Sequence, residues 1–275
     1  EKFFNDGILD PESNVSFGEG GAGTFSDGKL VTGIKDRRVK VVFEELVRAG
    51  APKEILYKAK PHIGTDILRE VVTNIRKEIE SLGGEVRFEN LMTGIIVKDG
   101  CLSEVEINKK EKLKARNLII APGHSARDTF AMLNENDVPM ERKPFSIGVR
   151  IEHSQKMIDR AMYGSFASYL PHAEYKLVNH CKNGRGTYTF CMCPGGYVIP
   201  QASEEGMATT NGMSYHNRAS GTANSALLVD VRPDDFGSDD VLAGYAVRKL
   251  LAVCGKVSEL AHRDEDARNI RFLEL

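Results

Sequence analysis

From Lys143 onward the chain breaks into short runs in which apolar and polar residues alternate. FSIGVRIEH, EYKLVNH, GTYTFCMCP, GYVIP and ANSALLVDV are separated by Gly, Pro and Asn turns. A period of two residues fits a strand with one buried face, and frequent turn residues fit hairpins. This half therefore reads as an antiparallel sheet and a structural unit of its own. From Asp239 the pattern changes again, to a helical tail carrying Leu242, Tyr245, Ala246, Leu250 and Leu251.

The preceding half follows helical spacing. Asp36 stands before Val39, Val42, Phe43, Leu46 and Val47, with Gly50 and Pro52 as stops. Thr65 is placed to cap a longer helix whose stripe is Ile67, Leu68, Val71, Val72, Ile75, Ile79 and Leu82. Gly83 and Gly84 then lead into EVRF, expected to be a strand, and IIVKDGCLSEVEI is expected to turn at Asp99-Gly100. Leu118 to Ala121 is a continuous apolar run suited to a strand buried on both faces. Ser125 and Asp128 form a capping-box spacing for the helix after it, so the amides around Gly123 to Ala126 would favour an anion.

The fold expected is mixed α/β. Residues 1–139 are expected to form a first unit with a helical insertion at about 36–58, and residues 140–275 an antiparallel β unit with a C-terminal helical tail.

With 41% apolar and 28% charged residues, the 275-residue chain can bury a large core. A net charge of −2 gives no broad attraction for nucleic acid or an anionic membrane, and no run is long enough to span a bilayer. Cys101, Cys181, Cys191, Cys193 and Cys254 are an odd set spread over a large chain, which fits a reducing, cytoplasmic setting. No Ser/His/Asp or paired-carboxylate arrangement can be assembled, which leaves hydrolase chemistry without support.

Gly18-x-Gly20-x-x-Gly23 has the spacing of a dinucleotide loop, but the NVSF before it is short and the TFSDGKL after it is a poor helix former. Three readings stand: a primary phosphate loop, a glycine-rich turn, or a secondary loop that approaches a cofactor closely because its glycines lack side-chain bulk. On GVRIEH, Arg150 and Glu152 share one face, opposite Val149, Ile151 and His153. Arg150 either grips an anionic substrate or belongs to a surface or cross-strand Arg–Glu pair. His153 reads as a structural histidine. Cys191-Met192-Cys193 is a redox dithiol, a zinc half-site with Cys181 and His180, or two small buried side chains. Gly195, Gly196, Asn211 and Gly212 mark the loop after it as an active-site lining or an ordinary glycine-bearing hairpin.

FGEGGAGTFSDGKL, KPHIGTDILREVVTNIR, LGGEVRF, LIIAPGHSARDTF, KPFSIGVRIEH, GTYTFCMCPGGYVIPQASEEGMATTNGMS and ANSALLVDV, in that order, resemble the bacterial FAD-dependent dehydrogenases. These are flavoproteins built like p-hydroxybenzoate hydroxylase and glutathione reductase, and the resemblance runs from about residue 1 to about residue 245. It favours the third reading of the glycine loop. It also places the family's own dinucleotide motif upstream of Glu1 and finds no counterpart of the closing flavin segment in the tail. The resemblance makes residues 1–139 a partial FAD-binding, Rossmann-like domain and residues 140–275 the substrate domain. By resemblance, Gly20, Gly21, Gly23, Thr24, Ser26 and Gly28 pass close to the flavin or its pyrophosphate. Val86 presents its backbone to the adenine, and Ala121, Gly123 and His124 abut the cofactor, although Pro122 stands where Thr is usual.

The implied function is that of the central fragment of an FAD-dependent oxidoreductase, a dehydrogenase of unidentified small-molecule substrate. NAD(P)H is the candidate reductant, and no metal, nucleic acid or membrane is implied. FAD is expected in the full-length protein and absent or weakly held in this chain, which by itself is expected to be inactive. The alternative is a cofactor-free binding or scaffolding module that keeps the flavoprotein fold.

Overall fold

The computed structural model describes residues 5–207, 209–245 and 270–274. In chain order its main elements begin with a single helical turn, α1 (Gly21–Thr24), and then α2 (Arg38–Arg48) and α3 (Thr65–Ser81). The strands β1 (Met92–Lys98), β2 (Cys101–Ile107) and β3 (Glu111–Lys114) precede α4 (Arg127–Glu135), β4 (Phe145–Ser154) and α5 (Gln155–Tyr163). There follow β5 (Val178–His180), β6 (Gly186–Cys193), β7 (Tyr197–Pro200), β8 (Thr210–Met213), β9 (Thr222–Val231) and β10 (Ile270–Glu274).

The strands make three sheets: β1-β2-β3, the five-stranded β10-β4-β9-β6-β5, and the hairpin β7-β8. Every pairing among the described residues is antiparallel. The large sheet is the one the alternation after Lys143 implies. Ten residues of β4 pair in unbroken register with β9, from Phe145 opposite Val231 to Ser154 opposite Thr222. The Asp99-Gly100 hairpin forms as expected, with φ of 51° and 75°, because a two-residue turn joining β1 to β2 needs both positions left-handed.

A helical core sits in the first half, where Ala49, Ala51, Ile55, Ile63 and Val71 are buried together. The faces of α2 and α3 that carry Phe43, Leu46, Val47, Ile67, Leu68 and Ile75 close over it. Two capping expectations shift. Asp36 does accept the Arg38 amide at 2.8 Å. Thr65 is instead the first residue of α3, with Gly64 as its cap, and its hydroxyl donates to the Thr24 carbonyl at 2.6 Å. α4 begins at Arg127 with Ala126 as cap and no side-chain capping bond, so the Ser125–Asp128 box does not form.

Two expected strands are absent. EVRF, with Val86 half-buried and Phe88 exposed, is an irregular loop after α3. Leu118 to Ala121 joins no strand, and Ile119 is 93% exposed. A strand apolar on both faces needs neighbours on both edges and cover on both faces. Among the described residues neither segment has a strand neighbour, so the Rossmann-like parallel sheet expected for residues 1–139 is not seen. Of the expected helical tail, Leu242 and Tyr245 lie in turn and helix, whereas Ala246, Leu250 and Leu251 fall outside the described residues, as does Cys254.

Candidate functional site

The loop Phe25–Leu30 does not stand free. Its backbone runs antiparallel to residues 61–64, with the Leu30 amide donating to Pro61, Ile63 to Gly28, and Gly64 to Asp27 at 2.9–3.1 Å. This brings Asp27, 1% exposed, against the loop after β8. The Arg218 guanidinium donates to both Asp27 oxygens, at 3.1 and 2.7 Å, and the Ser214 hydroxyl donates to the same carboxylate. Arg218 also reaches Glu174 at 3.2 Å. Burial by itself would raise the Asp27 carboxyl. Arg218, Lys29 and Ser214 outweigh it and hold the group below the usual carboxylate range.

His62 and His216 brace the other side of this junction, their rings stacked 5.1 Å apart. Each is also bonded to the other segment's backbone, His62 Nε2 to the His216 carbonyl and His216 Nδ1 to the Ile63 carbonyl, both at 2.9 Å. Burial and the nearby Arg218 charge keep the His62 imidazole below its ordinary value. Gly64 is required at this contact. Its φ is 88°, and a Cβ there would stand 2.6 Å from the His216 Cα.

Beside Asp27, the Lys29 ammonium donates to the Met192 carbonyl and stays 4.0 Å from the Asp27 carboxylate. It therefore arrives at the Cys191-Met192-Cys193 segment of β6. Between Phe190 and Cys193 the pairing of β6 with β9 slips, and Cys191 takes φ 46°. The two cysteines thus flank a bulge instead of alternating along a regular strand. The Cys193 thiol lies 3.2 Å from the Cys191 carbonyl, and both cysteines are free. The hydrogen bond from Cys193, helped by Lys29 and Arg150, lowers the Cys191 thiol to about 6, whereas the same pairing and full burial push Cys193 up.

Arg150, in the middle of β4, completes the cluster. It is 0% exposed, which excludes the surface pair with Glu152. Nη1 donates to Asn224 Oδ1 at 2.6 Å and reaches the Cys191 carbonyl at 3.4 Å, while Nε and Nη2 have no partner. The β7-β8 hairpin closes over the guanidinium. A Cβ on Gly212 would stand 2.5 Å from Arg150 Nη1 and 2.8 Å from Cys193 Sγ, with Asn224 closer still. Only a residue without a side chain lets β8 lie against this cation.

The sequence-predicted residues fall into three places. Cys191, Cys193, Arg150 and Gly212 meet at one point, with Asn211 next to it bonding the Gly212 amide at 2.8 Å. Gly20, Gly21, Gly23, Thr24, Ser26 and Gly28 form the loop that leads into the junction. There the Ser26 hydroxyl ties the Gly23 carbonyl at 2.6 Å to the Gly28 amide at 3.0 Å. His124 lies elsewhere, with Ala121 and Gly123 just before it in the chain, whereas Val86 is two residues from Phe88, whose ring lies under the Arg76 that bonds Glu19. A groove of about 920 Å³ runs past Glu19, Thr24, Phe25, α3 and the β7-β8 hairpin. His124 lines a different cavity of about 370 Å³ with Phe130, Phe145, Phe236 and Tyr245, and the two share no residue. His153 bonds Tyr175 through Nε2 at 2.7 Å, while its Nδ1 is buried without a partner among the described residues. The zinc reading fails, since no three His, Cys, Asp or Glu among the described residues gather to hold a metal.

Sequence reasoning missed Asp27, Lys29, Ser214, Arg218, Asn224 and the His62–His216 pair. Asp27 and Lys29 lay inside the quoted FSDGKL, but a short S-D-G reads as a turn. Nothing local ties it to Arg218, 191 residues away.

The large groove is wide enough for a nucleotide-bearing cofactor. Its walls do not suit a pyrophosphate: Glu19, paired with Arg76 at 2.7 Å, Asp66 and Glu70 stand against Arg69 and Lys77, which leaves no surplus of positive charge. The glycine loop offers close backbone approach without a surplus of cations. The described residues of this groove therefore supply no cationic cradle for the phosphates of FAD.

Residues 144–260 match the family described as FAD-dependent protein, C-terminal domain-like. The chain is also similar to an uncharacterized protein of Clostridium beijerinckii, at 52% identity over 252 residues. That match takes in 90% of this chain and 47% of the relative, so the chain spans about half the relative's length. The family match supports an association with FAD. Among the described residues no helix is long and apolar enough to cross a membrane.

Proposed function

We propose that this chain is the central part of an FAD-dependent oxidoreductase, a dehydrogenase acting on a small molecule. The observation that carries the reading is the buried cationic centre inside the region that matches an FAD-dependent domain. Arg150 there keeps two donor nitrogens unpartnered while Lys29 is brought in from the glycine-loop half. A guanidinium taken out of water at such cost is retained where its charge is used.

FAD, when bound in the longer protein, supplies the acceptor or donor of a hydride. The residues of this chain bind and orient the substrate. The Asp27–Arg218 lock fixes the loop Gly20–Gly28 against the sheet, so Lys29 and Arg150 stay placed without reorganisation. Arg150 is too deeply covered to grip a ligand directly and acts through its charge, while the partly exposed Lys29 and Asn211 are the polar side chains left to meet it. NAD(P)H remains the candidate reductant.

The decisive experiment follows flavin absorbance anaerobically in the protein at the relative's full length, against NAD(P)H and a panel of small alcohols, amines and carboxylates. Bleaching by one of them, slowed in Lys29→Gln, supports the reading. A flavin that no compound bleaches and no reductant reduces would count against it. The second reading, a cofactor-free binding module, is favoured by the separate grooves of the two glycine turns. It predicts a colourless full-length protein.

A further inference from the structure

We infer that Cys191 and Cys193 form a dithiol site for a low-molecular-weight disulfide, with Cys191 the attacking thiol and Cys193 the resolving one. The roles follow from geometry. Cys193 is fully buried, with its Sγ on the Cys191 carbonyl, and small molecules do not reach it. Cys191 is partly exposed, and the bulge turns it out of the regular alternation of β6. A non-glycine residue at φ 46° costs on the order of 1–3 kcal/mol and persists only where the surroundings enforce it. Here the Lys29 bond to Met192 and the Arg150 approach to the Cys191 carbonyl enforce it.

Charge points the same way. Arg150 is wholly buried with Nε and Nη2 unpartnered, and Lys29 donates to the Met192 carbonyl between the two cysteines. The acid in reach, Asp27, is neutralised by Arg218. A thiolate at Cys191 is the negative charge this arrangement favours, and its lowered proton affinity agrees.

The step balances without a further reactant. The Cys191 thiolate attacks one sulfur of the disulfide R–S–S–R, forming a Cys191–S–R bond and expelling one thiolate. Cys193 then gives up its proton to solvent and attacks the Cys191 sulfur, forming the Cys191–Cys193 disulfide and expelling the second thiolate. The protein dithiol is oxidised by two electrons, and the small disulfide is reduced to two thiols. The inference goes beyond the oxidoreductase reading and does not need FAD to be bound.

The test treats the reduced 275-residue chain with oxidised glutathione, quenches with acid and maps the cysteines by mass spectrometry. Wild type is expected to gain a Cys191–Cys193 disulfide, and Cys193→Ser to stop as a glutathione adduct on Cys191. Cys191→Ser is expected to leave Cys193 reduced. An adduct on Cys193 in Cys191→Ser at the wild-type rate would overturn the assignment, as would a lasting adduct on wild-type Cys191 with no internal disulfide.

If either variant fails to fold, iodoacetamide labelling of wild type against pH decides. The Cys191 midpoint is expected well below the ~8.5 of an ordinary thiol and to rise in Lys29→Gln. Lower intrinsic nucleophilicity offsets the greater thiolate population, so the gain over an ordinary thiol is about 2-fold at pH 7 and about 10-fold at pH 6. A midpoint at the ordinary value in wild type would sink the proposal.

Discussion

Replacing Arg150 by Met separates a charge kept for function from one kept for stability. The guanidinium is wholly buried, with one good hydrogen bond, to Asn224, and two unpartnered nitrogens. Each buried orphan donor costs about 1–3 kcal/mol, so removing both relieves about 2–6 kcal/mol. Against that stand the lost charged bond to Asn224, worth about 1.5–3 kcal/mol, and the orphaning of its oxygen at about 1–3 kcal/mol. The two sides nearly cancel. Arg150→Met is expected to unfold in urea within about 2 kcal/mol of wild type, far from the ~3–5 kcal/mol loss typical of breaking a compensated buried pair.

The residual depends on pH with a defined sign. A thiol lowered in the folded state contributes stability that is fully present above its unfolded value, about 8.5, and is lost as pH falls through about 6. Arg150 is one source of that lowering, behind the Cys193 hydrogen bond and Lys29. The variant should therefore compare less well with wild type at pH 8 than at pH 5, by about 1 kcal/mol. Urea denaturation followed by circular dichroism at both pH values measures it. A loss above about 3 kcal/mol that is the same at pH 5 and pH 8 would show that the guanidinium is compensated by something other than the Cys191 thiolate.

Asp27→Asn leaves Arg218 with Glu174 alone, and a loss of about 2–4 kcal/mol is expected in the same assay at pH 7. Because the Asp27 carboxyl is lowered on folding, its contribution is present above about pH 4 and fades as pH falls through its folded value. The gap between wild type and variant should thus close in acid. Gly212→Ala places a methyl group against Arg150, Cys193 and Asn224 at once, and overpacking of a buried site costs about 1–3 kcal/mol. It should lower the melting temperature and make Cys191 more accessible to iodoacetamide. Ile119→Ser, at a position 93% exposed, should change stability by less than about 0.5 kcal/mol, since no packing is lost.

The parts of the fold legible in the sequence are those set by local chemistry. Alternation after Lys143 specifies the β4-β9-β6 ladder. Asp99-Gly100 specifies its hairpin, because few other pairs tolerate two left-handed positions. The stripe from Ile67 to Ile75 gives α3 its buried side, while Ile79 and Leu82 at its end stay exposed. Leu118 to Ala121 misled for a physical reason: an apolar run carries the preference for a buried strand, but pairing depends on a neighbour that the described residues do not supply. The candidate cluster is half visible in the sequence. Arg150, Cys191, Cys193 and Gly212 each stood out by type, yet their meeting depends on a bulge, a lysine from the far half and the Asp27–Arg218 lock. None of these leaves a periodic or motif-sized trace.

The proposed role requires this chain to be part of a protein that holds FAD. The most direct measurement is the flavin content, after exhaustive dialysis, of the protein produced at the length of its Clostridium beijerinckii relative, with the 275-residue chain treated in parallel. About one FAD per long chain, and none retained by the 275 residues, is the predicted result. A long protein that emerges colourless and takes up no added FAD would contradict it.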